Sequence, residues 1–419
     1  MSFEVKPSPL KDATPDTAGL LSGQTDTLNT ALGINALGDL VSGNSNTAVG
    51  NLALDNHTSS SSNTAVGHAA LGYGGGNNWN TASGNTAIGE MAMYYHGAAD
   101  YNIAIGVNAL NSVYNSGDRN IAIGDNCMTM NTTGSENIAI GRQTLMSNTT
   151  GDRNIAMGSF SLNSNLTGTD NIGIGTGTLK DATTGSTNIA FGYYAAQNIT
   201  TGSANIAFGW QALGELTDGN NNIAFGTGSL QYNTGYSNVA IGVSSLNNTT
   251  TGVMNVAIGV GAGNALTTGS NNVLIGDSAA ASSNTVSNEI TLGNSLTATL
   301  RCQVQSITSL SDARDKQNIE TSEFGIDLVN MLRPVTFEWN TRDGGKVGQK
   351  DIGFIAQELV EVEDSLNAHE TLALTYRENP EKLEASYGRL VPVLVKAVQD
   401  LSGQIAQLNA EIAELKAAK

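Results

Sequence analysis

A five-residue motif, Asn-(Ile/Thr/Val)-(Ala/Gly/Leu)-apolar-Gly, recurs with its Asn at positions 46, 63, 85, 102, 120, 137, 154, 171, 188, 205, 222, 238, 255 and 272. Most of these fourteen copies are 17 residues apart, with single intervals of 16 and 18 and one of 22. A fifteenth, degenerate copy runs Asn288-Glu289-Ile290-Thr291-Leu292-Gly293. The period is too short for a helix pair of about 33 residues. Alternation of the Ile-Ala-Ile kind puts two apolar side chains on one face of a strand and a small one on the other. Constant spacing to a Gly predicts a corner that needs positive φ or close backbone approach. An Asn beside each corner can stack into a side-chain ladder. Between motifs the chain reads like Ala109-Leu110-Asn111, followed by a polar turn such as Asn148-Thr149-Thr150-Gly151. A stacked β-solenoid or β-roll follows, because one coil cannot bury its apolar face and its neighbours must do so. At ~4.8 Å per coil, fourteen coils span roughly 65–70 Å.

Charge and proline divide the chain. Residues 1–310 hold 7 basic and 18 acidic side chains, whereas residues 311–419 hold 12 and 19. No proline lies between Pro15 and Pro334, as befits coils that must each donate backbone N–H groups to a neighbour. The predicted organisation is an N-terminal region at 1–45, a repeat shaft at 46–300, a connector at 301–310 and a second kind of domain at 311–419. Net charge is −18, which disfavours contact with nucleic-acid phosphate. The two cysteines, Cys127 and Cys302, make neither a disulfide scaffold nor a zinc site, and no cofactor or metal is expected. There is no apolar run long enough to span a membrane. The first residues lack the apolar core of a secretion signal, so synthesis in a cytoplasm without ordinary secretion is expected.

The shaft reads first as a spacer. Ice binding would require a flat, repeated Thr-x-Thr face where Ile or Val often stands, and calcium binding a Gly-Gly-x-Gly-x-Asp repeat that is missing. The coils resemble the head repeats of trimeric autotransporter adhesins, although the 17-residue period is longer. The one long interval carries Tyr73, a Gly74-Gly75-Gly76 run and Trp79, and Tyr94, Tyr95, His96 and Tyr101 follow the next motif. Aromatic rings on a polar rod suit either carbohydrate stacking or packing at an irregular turn, so Tyr73, Trp79, Tyr94 and Tyr95 are candidate receptor-binding residues.

Beyond residue 310 four motifs occur in order: Ser311-Asp312-Ala313-Arg314-Asp315-Lys316-Gln317-Asn318-Ile319, Leu332-Arg333-Pro334-Val335-Thr336-Phe337-Glu338-Trp339, Gly353-Phe354-Ile355-Ala356-Gln357-Glu358-Leu359 and Tyr387-Gly388-Arg389-Leu390-Val391-Pro392-Val393-Leu394. Their order and spacing resemble the intramolecular chaperone domain of phage tailspikes and tail fibres, the self-cleaving serine peptidase type found behind endosialidases. The resemblance implies a cleavage dyad at Ser311 and Lys316, with the scissile bond at Leu310–Ser311. A serine hydroxyl needs a base, and a Lys supplies one only when shielding from water lowers its pKa, for instance at a subunit interface. A separation of five residues is not a helical pair, so a turn must bring the two together. Taken without the family, Ser311-Asp312 could equally cap a helix.

Residues 323–332 have the pattern of a short helix, and Asp343-Gly344-Gly345 reads as a hairpin turn. Leu394, Val398, Leu401, Ile405, Leu408, Ile412 and Leu415 alternate at four and three residues, an unbroken a/d seam. The seam does not fix two strands against three, and it is the resemblance that implies three; the fold expected is mostly β, a trimeric β-solenoid shaft followed by an α+β domain ending in a coiled coil. The resemblance implies a homotrimeric phage tail fibre, located in the virion tail after synthesis in the host cytoplasm. It would attach to a tail or baseplate protein through its N-terminal region and to a host glycan or protein elsewhere, with no nucleic acid and no membrane insertion. The alternatives are a tailspike that degrades surface polysaccharide, a bacterial adhesin, and the fibre of a phage-derived contractile injection particle.

Overall fold

The computed structural model describes residues 28–40, 42–74, 81–113, 115–297, 301, 311–341, 347–377 and 379–417. The chain divides after Leu292 into two compact units.

Among the described residues of the first unit, sixteen three-residue strands form one parallel sheet, each paired with the strand of the next coil. Ile138–Ile140 pairs with Ile155–Met157 residue for residue, and the same register repeats along the sheet. Steps of ~4.8 Å make this sheet about 70 Å long. Its first strand, Thr30–Leu32, pairs with Thr47–Val49, so the ladder starts one coil earlier than the boundary at 46 read from the sequence. The missed copy, Asn29-Thr30-Ala31-Leu32-Gly33, stands one 17-residue period before Asn46.

Each repeat position has a mechanical task. The backbone N–H of Asn137 donates to Asn120 Oδ1 at 3.0 Å, while its Nδ2 donates to the same oxygen at 3.1 Å and to the Gly151 carbonyl at 2.8 Å. Asn137 Oδ1 in turn accepts from Asn154. A buried amide is thus satisfied in every direction, which a desolvated polar column requires. The corner glycine follows the strand. Gly124 has φ +143°, and a Cβ there would stand 2.3 Å from the Gly141 carbonyl oxygen of the next coil. Four residues past the next corner, Gly141, Leu145 is fully buried in the left-handed region at φ 48°. Such a conformation costs a leucine roughly 1 kcal/mol or more, and burial in the coil interior offsets it.

The interior is narrow. It is the small central residue of the strand, Ala139 or Ala156, that points inward and is fully buried, opposite the leucine column. The flanking Ile or Phe side chains point outward and remain partly exposed. Neighbouring coils therefore cover the apolar pair only along the ladder and do not enclose it. One exchange shows how tight the interior is. Leu274 takes an alanine position, and the leucine position of the preceding coil is Gly263, whose added Cβ would lie 2.7 Å from both Leu274 and Leu246. Volume lost at one position is restored at the other, as close packing demands.

The second unit contains helices α1 (Ile326–Met331), α2 (Ala356–Ser365), α3 (His369–Leu372) and α4 (Leu390–Ala417). α1 stops at the extended Leu332, two residues before Pro334. Strands Val335–Glu338 and Lys350–Gly353 pair antiparallel, as the hairpin reading requires; the turn at 343–345 lies outside the described residues. Leu328, Ala368, Leu372, Leu374, Leu390 and Val393 form a small core, with Phe324 and Phe354 packed against it. Beneath it Glu363 is fully buried. It accepts from the Leu374 N–H and the Thr375 hydroxyl, both at 2.5 Å, and from Arg377 at 2.8 Å and His369 at 3.2 Å. Burial pushes its carboxyl up, but these donors outweigh that and hold it below the usual range. The network ties α2 to strand Thr375–Tyr376. The seven seam positions of α4, from Leu394 to Leu415, are all exposed. Among the described residues no helix is long and apolar enough to cross a membrane.

Candidate functional site

The first described residue after position 301 is Ser311, and a single 3₁₀ turn, Ala313–Asp315, folds the chain back from it. Asp312 caps that turn by accepting from the Arg314 N–H at 2.9 Å, and its carboxylate also holds the Arg314 guanidinium. The capping acceptor is thus Asp312, not Ser311. Hydrogen bonds from Arg314 hold the Asp312 carboxyl below the ordinary range. Past the turn, the backbone at Lys316 is extended, and the ammonium group reaches Ser311, Nζ donating to Oγ at 2.6 Å. The turn that the five-residue spacing demands is therefore present.

Geometry alone does not activate this pair. A charged ammonium donates to the serine hydroxyl and cannot take its proton. For Lys316 to act as base its neutral form must be favoured, which needs desolvation. Both side chains are exposed in the single chain. The turn also consumes its own donors, because Asp315 N–H goes to the Asp312 carbonyl and Lys316 N–H to that of Ala313. No oxyanion donor is left over from those two amides or from Arg314. Among the described residues the turn offers a serine hydroxyl held against an exposed lysine ammonium; cleavage there would further require a cover and an anion-stabilising group. Leu310, the other half of the expected scissile bond, lies outside the described residues.

The aromatic candidates come together in part. Tyr73, Tyr94 and Tyr95 form one cluster, with ring centroids 6.0 Å apart for Tyr73–Tyr94, 5.7 Å for Tyr73–Tyr95 and 4.6 Å for Tyr94–Tyr95. Trp79 lies outside the described residues. Two of the three pairs are edge-on, so the rings spend much of their faces on one another. Burial pushes the Tyr94 phenol up, helped by its tyrosine neighbours and Asp55.

Two features escaped the reading of the sequence. His57 and His96 stack with centroids 4.7 Å apart, both fully buried in the column that Asn131, Asn148 and Asn165 fill farther along. His57 Nδ1 meets Ser60 Oγ at 2.6 Å and its Nε2 meets the Leu71 carbonyl at 3.0 Å, while His96 Nδ1 donates to the Met93 carbonyl. Gly74 of the intervening strand pairs with His96, and a glycine has no side chain to hold the rings apart. Their positions in the repeat, seven residues past a corner glycine, are the signal that aligns them. The second is a stack of Phe191, Phe208 and Phe225, with centroids 4.6 Å apart and rings within 11° of parallel. Three of the shaft's carboxylates serve structure: Asp118 accepts from the Asp100 N–H, Asp152 from the Ser135 N–H, and Asp170 holds Arg153.

Residues 311–368 match the family model described as chaperone of endosialidase. That stretch begins at Ser311, contains the 3₁₀ turn and Lys316, and runs through α1, the hairpin and α2. No curated protein and no solved structure matches the chain. A chaperone-of-endosialidase segment behind a long β-solenoid shaft is a tailspike-like or fibre-like arrangement.

Proposed function

We propose that the chain is a homotrimeric phage tail fibre for attachment to a host surface. Its C-terminal domain assembles three copies and then autocleaves at Leu310–Ser311. The observation that carries this reading is the 2.6 Å contact between Lys316 Nζ and Ser311 Oγ at the N-terminal edge of the matched chaperone segment. The exposed seam of α4 supports it, since heptad-spaced apolar rows are covered by partner helices. Joining three chains at one end raises the effective concentration of the rest. Near-identical coils align poorly by themselves, because a slip of one coil costs little, so a register-setting partner relieves a real folding problem. Trimerisation would also supply the cover the pair needs, since a neighbouring subunit laid over Lys316 would desolvate it. Cleavage would then follow assembly, and removal of the guide would leave a fibre kinetically blocked from reversal. The N-terminal region would join the tail or baseplate, and the Tyr73, Tyr94 and Tyr95 cluster with Trp79 is the candidate contact for a host glycan.

Denaturing intact-mass analysis of the wild type, Ser311→Ala and Lys316→Ala tests it. The wild type is expected to split into one piece ending at Leu310 and one beginning at Ser311, while both variants stay at 43.2 kDa. A wild type that also stays whole after trimerisation would sink the cleavage step. The domain would then be a permanent cap.

A further inference from the structure

The outward face of the shaft's sheet is an apolar strip. Each strand turns its first and third residues away from the interior, and from Thr30 to Leu292 none of these side chains is charged. The first position is Thr in the first four coils of the ladder and Ile or Val thereafter. Although coils lie above and below, Ile140 keeps 36% of its surface, Ile258 38%, Ile275 39% and Phe225 40%. That remaining surface faces away from the coil. Two side-chain columns some ~10 Å wide along ~70 Å give on the order of 700 Å². This exceeds the few hundred Å² that a lone soluble chain leaves bare. It is close to the ~800 Å² each partner contributes to a stable protein interface.

We infer that this strip is the seam by which the shafts of the trimer pack on one another, an inference that rests on the homotrimer proposed above. A partner that covers the full strip must match its length and its coil spacing, and another copy of the same chain does both. The exposed heptad row of α4 independently demands the same kind of partner, an identical helix. The strip also carries a register mark. Phe191, Phe208 and Phe225 are stacked on three successive coils where other coils have Ile, Val, Met or Leu. Copies in register set phenyl against phenyl, and a slip of one coil drives a ring into the space of an aliphatic side chain, breaking the degeneracy of the repeat.

Single cysteines in the full chain test this, in a background of Ser311→Ala, Cys127→Ala and Cys302→Ser. Alanine fills the Cys127 position in the neighbouring coil at Ala109. Ile258→Cys and Phe225→Cys lie on the strip, and Thr250→Cys lies on the exposed polar side. Light scattering reads the oligomer, maleimide reads access, and mild oxidation reads proximity. The expected result is a trimer in which both strip cysteines label at least ~10-fold more slowly than Thr250→Cys, the protection a closed interface confers. The strip cysteines should also form disulfide-linked chain pairs, which happens only if identical residues meet in register. A trimer whose strip cysteines label as fast as Thr250→Cys overturns the seam and leaves the trimer standing, with the strip open to another partner. A monomer overturns both.

Discussion

The two units are stabilised in different ways. In the shaft one small set of contacts is copied coil after coil, and among the described residues no ion pair is buried: the Arg153–Asp170 bridge is exposed at both ends. The C-terminal unit is built once. A buried carboxylate, Glu363, is held by four different donors around a small mixed core. A repeat can be satisfied only by what fits above and below it, so its tolerances are set by the neighbouring coil. A singly built core depends on unique partners, so losing one leaves a group unpaired.

The largest expected break in this contrast is at a corner. Gly124→Val puts a branched side chain at φ +143° into the Gly141 carbonyl, at a cost of about 4 kcal/mol or more. Calorimetry should show the shaft transition fall by many degrees while the transition of the C-terminal unit stays in place. Movement of both together would show that the two units do not unfold independently.

Acid should sharpen the same contrast. Burial holds His57 well below the usual imidazole value, with His96 adding to the effect, and burial lowers His96 to about 4. Both are neutral in the fold and regain an ordinary value near ~6.5 when unfolded. Their contribution is complete above that value and is lost as pH falls towards 4, by up to about 3 kcal/mol for His96. Glu363 behaves differently: its folded value is depressed, so its contribution persists above the unfolded carboxyl value and fades only as pH drops through the folded one. Hydrogen exchange should show the coils around His57 and His96 loosening between pH 7 and 4.5, while α2 keeps its protection over that range. Replacing both histidines by Asn, the residue this column uses elsewhere, should flatten the response of the shaft; an unchanged pH profile would clear the pair of responsibility.

The smallest effect is expected at the surface. Arg153→Ala removes an exposed bridge between coils and should leave the melting temperature unchanged within error, because such pairs are screened by water and salt. A clear drop would mean that the shaft relies on charge more than its contacts imply.

Much of the shaft was legible because repetition amplifies weak local signals. One Asn-Ile-Ala-Ile-Gly segment says little, but fourteen at near-constant spacing align an Asn column, a Gly corner and a strand. The copy at Asn29 is less legible because it is a single repeat at the margin of the N-terminal region, three residues past Asp26. Of the candidate site, Ser311 and Lys316 were legible through the motifs around them, whereas the 3₁₀ turn that joins them was not. Its cap is a local Asp312–Arg314 contact of a kind common in exposed loops. The His57–His96 stack depends on a glycine in a different coil, and no local pattern encodes it.

By itself the sequence determined the period, the strand, the corner, the ladder and the heptad row of α4, because each follows from residue spacing along one chain. Only the tertiary structure decided which way the Ile-Ala-Ile strand faces. Alternation with a period of two reads the same in either orientation. The choice falls to the width of a 17-residue coil, which leaves room for alanine opposite Leu145 and turns the larger side chains out.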